Sequence, residues 1–131
     1  MNRNTFERYI QELCLDLALK HNSYSHRQKH ACVITYNNAV IATGVNINLK
    51  NEFTDRYNSL KCLHAEAVAI MRAIQRHHKI LHKCELWVCR AGRISNLSKP
   101  CPMCTRIIKT FHIPIIHYTD DKNNWLTEVL I

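Results

Sequence analysis

Two short segments place the strictest condition on how this chain folds: His64-Ala65-Glu66 and, far downstream, Pro100-Cys101-Pro102-Met103-Cys104. Cys101 and Cys104 are three apart, so at a helix start both sulfurs face the same way. Pro102 suits a first helical residue, where its missing N–H needs no partner. Cys101 then lies near the N-cap, where the dipole and free N–H groups favour a thiolate. The run from Ala65 to Ile74 is rich in helix formers and supplies a second helix. His64 and Glu66 are roughly 200° apart around that helix, so only a metal just off its end can meet both. Any fold for this chain must therefore bring two helix N-termini to one point.

One nitrogen and two sulfurs make three zinc ligands, His64, Cys101 and Cys104, with a fourth position open to water. Glu66, not needed as a ligand, is the group to move that water's proton. A competing reading closes the site with Cys62 as a fourth ligand, which makes it structural and chemically inert.

The bulk numbers frame this. The chain's 131 residues suit a single domain spanning 1–131 with a real core. No apolar run is long enough to span a bilayer and no signal-like start is present, so the expectation is a protein with no membrane association. Seven cysteines, an odd number, argue for a reducing, cytoplasmic setting and against a disulfide framework. Cys14, Cys32, Cys84 and Cys89 lie in apolar runs and read as core. The net charge of +8 suits an anionic ligand such as a nucleotide or nucleic acid.

Along the chain, residues 4–20 read as an amphipathic helix with Asn4 as cap, Glu7 at the capping-box position and a stripe of Phe6, Ile10, Leu13, Cys14 and Leu17. Residues 21–30 read as a polar loop. Ala31–Tyr36 and Ala39–Thr43 flank Asn37-Asn38, a tight hairpin. A long polar loop, 47–61, leads into a helix over about 64–78. Strand 84–90 precedes a helix over about 102–111, and strand 113–118 follows. The expected fold is α/β: a three-layer α/β/α sandwich around a mixed sheet of four or five strands. The strand-helix-strand unit 84–118 makes its two strands parallel. Trp125–Ile131 is either a short helix or an edge strand.

The motif pair H-x-E … P-C-x-x-C resembles the zinc nucleobase deaminases of the cytidine/deoxycytidylate deaminase superfamily, in the branch with His-Ala-Glu. The resemblance spans about residues 5–120. It implies Zn2+ as cofactor on His64, Cys101 and Cys104, and Glu66 as the proton shuttle between the attacking water, the ring nitrogen and the departing ammonia. Further implied are a substrate contact from Asn46, a base carbonyl held by the Ala65 N–H, and a backbone acceptor near Ser98-Lys99. Tyr118 falls where flanking nucleotides are touched in polynucleotide deaminases. It also implies that a homo-oligomer is compatible with the chain.

Within the superfamily, a cytosine nucleotide or nucleoside deaminase (dCMP/CMP-type) is the leading expectation. Lys99, Arg90, Lys50 and Arg56 are then the phosphate-contact candidates. The alternative is deamination within single-stranded DNA, RNA or tRNA, for which Tyr118-Thr119-Asp120-Asp121 resembles the nucleotide-selecting loop of AID/APOBEC-type enzymes. Motif residues depart from each branch: Ala67-Val68 replaces the Asn of many deoxycytidylate deaminases, and Ser98-Lys99 replaces the Leu-Glu of tRNA adenosine deaminases. From a different class, a non-catalytic zinc module that binds nucleic acid through its positive surface also fits.

Overall fold

A computed structural model describes residues 2–20, 29–48, 62–91 and 97–130. Its order is α1 (Arg3–Lys20), β1 (Lys29–Tyr36), β2 (Ala39–Val45), β3 (Ile47–Asn48), β4 (Cys62–Leu63), α2 (Ala65–His77), a 3₁₀ segment (His78–Lys83), β5 (Glu85–Ala91), α3 (Pro102–Thr110), β6 (Ile115–Thr119) and β7 (Trp125–Val129). Five strands form one mixed sheet in the order β2-β1-β5-β6-β7. The β5–β6 pair is parallel, as the crossover through α3 requires, and the other three pairings are antiparallel.

Alternation along the strands sorts the core into two. Ala31, Val33, Trp87 and Cys89 face α1, where they meet Phe6, Ile10, Cys14 and Ala18. Cys32, Ile34, Leu86 and Val88 face the other way, against Ala69, Ile70 and Ala73 of α2, Leu81, and Ile108 of α3. The architecture is thus the expected α/β/α sandwich, with α1 on one face and α2 and α3 together on the other. The four expected core cysteines are all buried.

Local chemistry explains the boundaries. Asn37 and Asn38 both take left-handed φ (48° and 62°), the conformation a two-residue hairpin needs. The cap of α1 is Asn2, not Asn4: Asn2 Oδ1 accepts from the Thr5 N–H at 2.9 Å, and the helix starts one residue earlier than its apolar pattern suggests. The segment read as loop after Asn46 contains a two-residue ladder, Ile47–Leu63 and Asn48–Cys62, which delivers the chain to α2.

The tail resolves as an edge strand. A turn closed by Asp120, whose Oδ1 accepts from the Lys122 and Asn124 N–H groups, folds β7 back antiparallel on β6. The sheet gains its fifth strand with no intervening helix.

Candidate active site

α2 and α3 both begin at the same end of the sheet, and their N-caps are His64 and Cys101. Pro102 is the first residue of α3, and the Cys101 sulfur accepts from the Cys104 N–H at 3.5 Å. His64 Nδ1 lies 3.2 Å from Cys104 Sγ and 3.6 Å from Cys101 Sγ. All three donor atoms fall within 4.8 Å of one another. Metal–ligand lengths of about 2.0–2.3 Å in a tetrahedron separate ligands by about 3.6–3.8 Å, so only small adjustments bring these atoms around one ion. A single imidazole with two thiolates is a zinc donor set, and the group fits Zn2+.

The seat of α2 depends on Gly44. A Cβ at that position meets Ala65 O and Ala69 N at 2.6 Å, so β2 and the first turn of α2 touch backbone to backbone. That contact fixes where His64 and Glu66 stand.

Glu66 is 4% exposed. Its Oε1 is buried with no hydrogen-bond partner among the described residues, an arrangement costing about 1–3 kcal/mol unless a further donor arrives. Burial pushes its carboxyl above the ordinary carboxylate range, offset only partly by its backbone hydrogen bond, His64 and Cys104. The Cys104 thiol is likewise pushed up, by burial first and then by Glu66 and Cys101. Both shifts reflect negative groups crowded in a dry place, which a bound cation relieves. Cys32, buried on the same sheet face, feels Glu66 and Cys104 as well.

The approach to Cys101 is pinned. Ser98 Oγ donates to Val88 O at 2.8 Å, accepts from the Thr119 N–H at 2.7 Å and contacts Thr119 Oγ1 at 2.8 Å. The Ser98 N–H donates to Thr119 O at 2.9 Å. The Ser98 hydroxyl is therefore committed to structure. Asn46 is buried, and its Oδ1 accepts from the His30 N–H at 2.9 Å, tying the end of β2 to the start of β1. His30 and Arg90 are register partners, and burial, then Arg90 and His64, lower the His30 imidazole to about 4. Ala65 opens α2, so its N–H is among the first-turn donors without an intrahelical acceptor.

Two of the four cationic candidates, Lys99 and Arg90, are engaged with other groups of the protein. Lys99 Nζ pairs with Glu128 at 3.6 Å and sits 5.9 Å from the Tyr118 ring centroid. Arg90 donates to Leu97 O at 3.3 Å. Lys50 and Arg56, and the Cys62 side chain of the closed-site alternative, lie outside the described residues.

A constellation that the sequence did not announce occupies the opposite face. His117, buried and stacked on Trp87 at 3.7 Å, contacts Glu85 through Nε2 and Thr127 through Nδ1, each at 2.7 Å. Arg3 forks onto the same Glu85 at 2.7 and 3.0 Å. These partners lie 32 and 82 positions from Glu85, beyond the reach of any local pattern.

This chain belongs to the cytidine and deoxycytidylate deaminases: residues 4–119 match the model of that family's zinc-binding region. Its fold is similar to that of cytidine deaminase from Burkholderia pseudomallei, with TM-score 0.67, 16% identity, and coverage of 98% of this chain and 93% of the other. The dCMP deaminase of cyanophage S-TIM5, in complex with dCMP and dUMP, gives TM-score 0.62 at 18% identity, covering 91% and 83%. Guanine deaminase from Bacillus subtilis gives 0.55 at 24% identity, covering 92% and 65%. Curated proteins offer no sequence match to this chain. Among the described residues, no helix is long and apolar enough to cross a membrane.

Proposed function

We propose that this protein is a zinc-dependent hydrolytic deaminase that converts cytosine to uracil. In this reading His64, Cys101 and Cys104 hold the metal. Zinc bound there supplies Lewis-acid activation of a water at its remaining coordination position. The observation carrying the reading is the buried Glu66 carboxylate, with an orphaned oxygen, beside that donor set.

Glu66 accepts one proton from the attacking water and passes it to the ring nitrogen. It then takes the remaining hydroxyl proton from the adduct and passes it to the amino group, which leaves as ammonia as the C–N bond breaks and the carbonyl forms. A buried carboxylate beside the donor set is placed to move protons in both directions. The first-turn N–H of Ala65 is the donor for the base carbonyl, and Asn46, fixed against β1, borders the sugar side. The dry setting strengthens each of these polar contacts.

The first substrate class is the cytosine nucleotide or nucleoside of the dCMP/CMP type. A second reading, deamination within a strand, gains support from the distribution of charge described below. Ammonia release by zinc-loaded protein tests the proposal on dCMP, CMP, cytidine, deoxycytidine, a cytosine-containing single strand and a tRNA stem-loop. Turnover lost in Glu66→Gln with zinc retained is the expected result. Turnover retained in that variant overturns the proton-shuttle assignment, and zinc-loaded protein silent on every substrate overturns the deaminase reading.

A further inference from the structure

The net charge of +8 is distributed unevenly between the layers of the sandwich. In α1, Arg3, Arg8 and Lys20 balance Glu7, Glu12 and Asp16, and two of the cations pair with acids of that same helix. In the layer built from α2, the 3₁₀ segment and α3, the cations are Arg72, Arg76, Lys79, Lys83, Arg106 and Lys109. All six are exposed. The sole carboxylate of these elements is Glu66, which is buried in the site and cannot neutralise the outer surface. Among the described residues none of the six has a carboxylate partner, and only Arg72 is tied down, to Thr43 O at 3.0 Å.

The geometry relates this surface to the site. α2 and α3 pack on the same sheet face, start at the candidate metal centre and carry their cations away from it. At 1.5 Å per residue, Arg106 lies about 7 Å along α3 from Cys101, and Arg76 about 16 Å along α2 from Ala65. A positive surface that begins near the candidate metal centre and continues for several turns matches a partner with repeated negative charge extending beyond one base. Mononucleotides have no use for the distal cations.

We infer that the outer face of α2, the 3₁₀ segment and α3 docks the phosphate backbone of a single-stranded nucleic acid, whose base enters the site; as a statement of substrate class, this rests on the deaminase reading. Pairing this face with a second copy across a two-fold axis sets cations against cations, so charge complementarity favours the polyanion. Met71 and Met103, exposed at 55% and 51%, lie within the same face and offer apolar contact between the phosphate-binding cations.

The test is fluorescence polarisation of labelled mixed-sequence single-stranded RNA and DNA over a salt series, using the full zinc-loaded chain. One variant combines Arg76→Glu, Lys79→Glu and Lys109→Glu. Its control makes the same change in net charge on other surfaces, with Arg8→Glu, Lys20→Glu and Lys122→Glu. Zinc stoichiometry and unfolding midpoint are measured on both. The docking face predicts that the first variant loses about tenfold or more in affinity, with a salt slope shallower by about 2, while the control stays within about twofold. Equal losses in both variants, or no loss in the first, overturn it. So does polyglutamate or an anionic phosphatidylserine vesicle binding the same face as tightly as the strand, or a dimer in sedimentation that the first variant dissolves.

Glu66→Gln is expected to bind the strand like the unaltered protein. Layer-dependent strand binding without Glu66-dependent ammonia release from any base refutes the deaminase reading and leaves the docking face standing. Ammonia released from mononucleotides without strand binding does the reverse.

Discussion

On the α1 face of the sheet the polar groups satisfy one another: exposed Arg3, part-buried Glu85, buried His117 and exposed Thr127 form a continuous chain, and the Trp87 indole N–H donates to Thr35 at 3.0 Å. On the α2/α3 face the polar groups converge without completing one another, with Glu66 Oε1 orphaned and a nitrogen and two sulfurs crowded together. The same strands serve both faces, Trp87 pointing one way and Val88 the other. One face therefore uses its polar groups to hold the ends of the sandwich together, whereas the other gathers them unpaired at the candidate metal centre. Reserving them costs stability, which the completed network opposite helps to offset.

The sharpest way to break this contrast is Glu66→Gln. It should lower turnover by about 10²–10⁴-fold while leaving folding and zinc content intact, measured by ammonia release and metal analysis. Comparable loss from a change at Glu85 would show that the two faces are not separate in function.

The next largest effect is the acid sensitivity of the α1 face. The His117 hydrogen bond, helped by Arg3, holds the Glu85 carboxyl at about 2, below its ordinary 4.5. Because the folded value is depressed, the stabilisation is complete above pH 4.5 and disappears as pH falls towards 2. Denaturant titrations should find about 2–3 kcal/mol lost across that window, and a flatter profile in Glu85→Gln.

Gly44→Ala sharpens the comparison from the other side. An added methyl group would sit 2.6 Å from Ala65 O and Ala69 N, so the variant should lose about 1–3 kcal/mol and bind zinc more weakly as α2 shifts. Unchanged zinc affinity would show that the contact serves packing alone. The smallest effect is expected at Lys99, whose side chain is 55% exposed where it meets Glu128. Lys99→Ala should alter stability by less than about 1 kcal/mol, and a raised KM at constant kcat would give it a substrate contact.

Much of this was legible in the sequence because the decisive signals were local. The His-x-Glu and Cys-x-x-Cys spacings, Pro102 at a helix start, and Asn37-Asn38 between two β-rich runs each act through neighbours on the chain. What escaped was set by distance. The β3–β4 ladder joins two dipeptides whose residues carry no periodicity, and β7, Trp-Leu-Thr-Glu-Val, is too short to distinguish strand from helix. The Glu85–His117 and Arg3–Glu85 contacts exist only once the sheet and α1 are assembled. The charge asymmetry was half visible: residues 67–84 and 86–119 contain no Asp or Glu, but which face they cover depends on the fold.

Ser98 has a consequence for precision. Through its hydroxyl and its N–H it joins the segment before Cys101 to the last residue of β6 and to the middle of β5. The two sulfurs thereby take their bearings from the pair of parallel strands, as a tool takes its position from the bed it is bolted to.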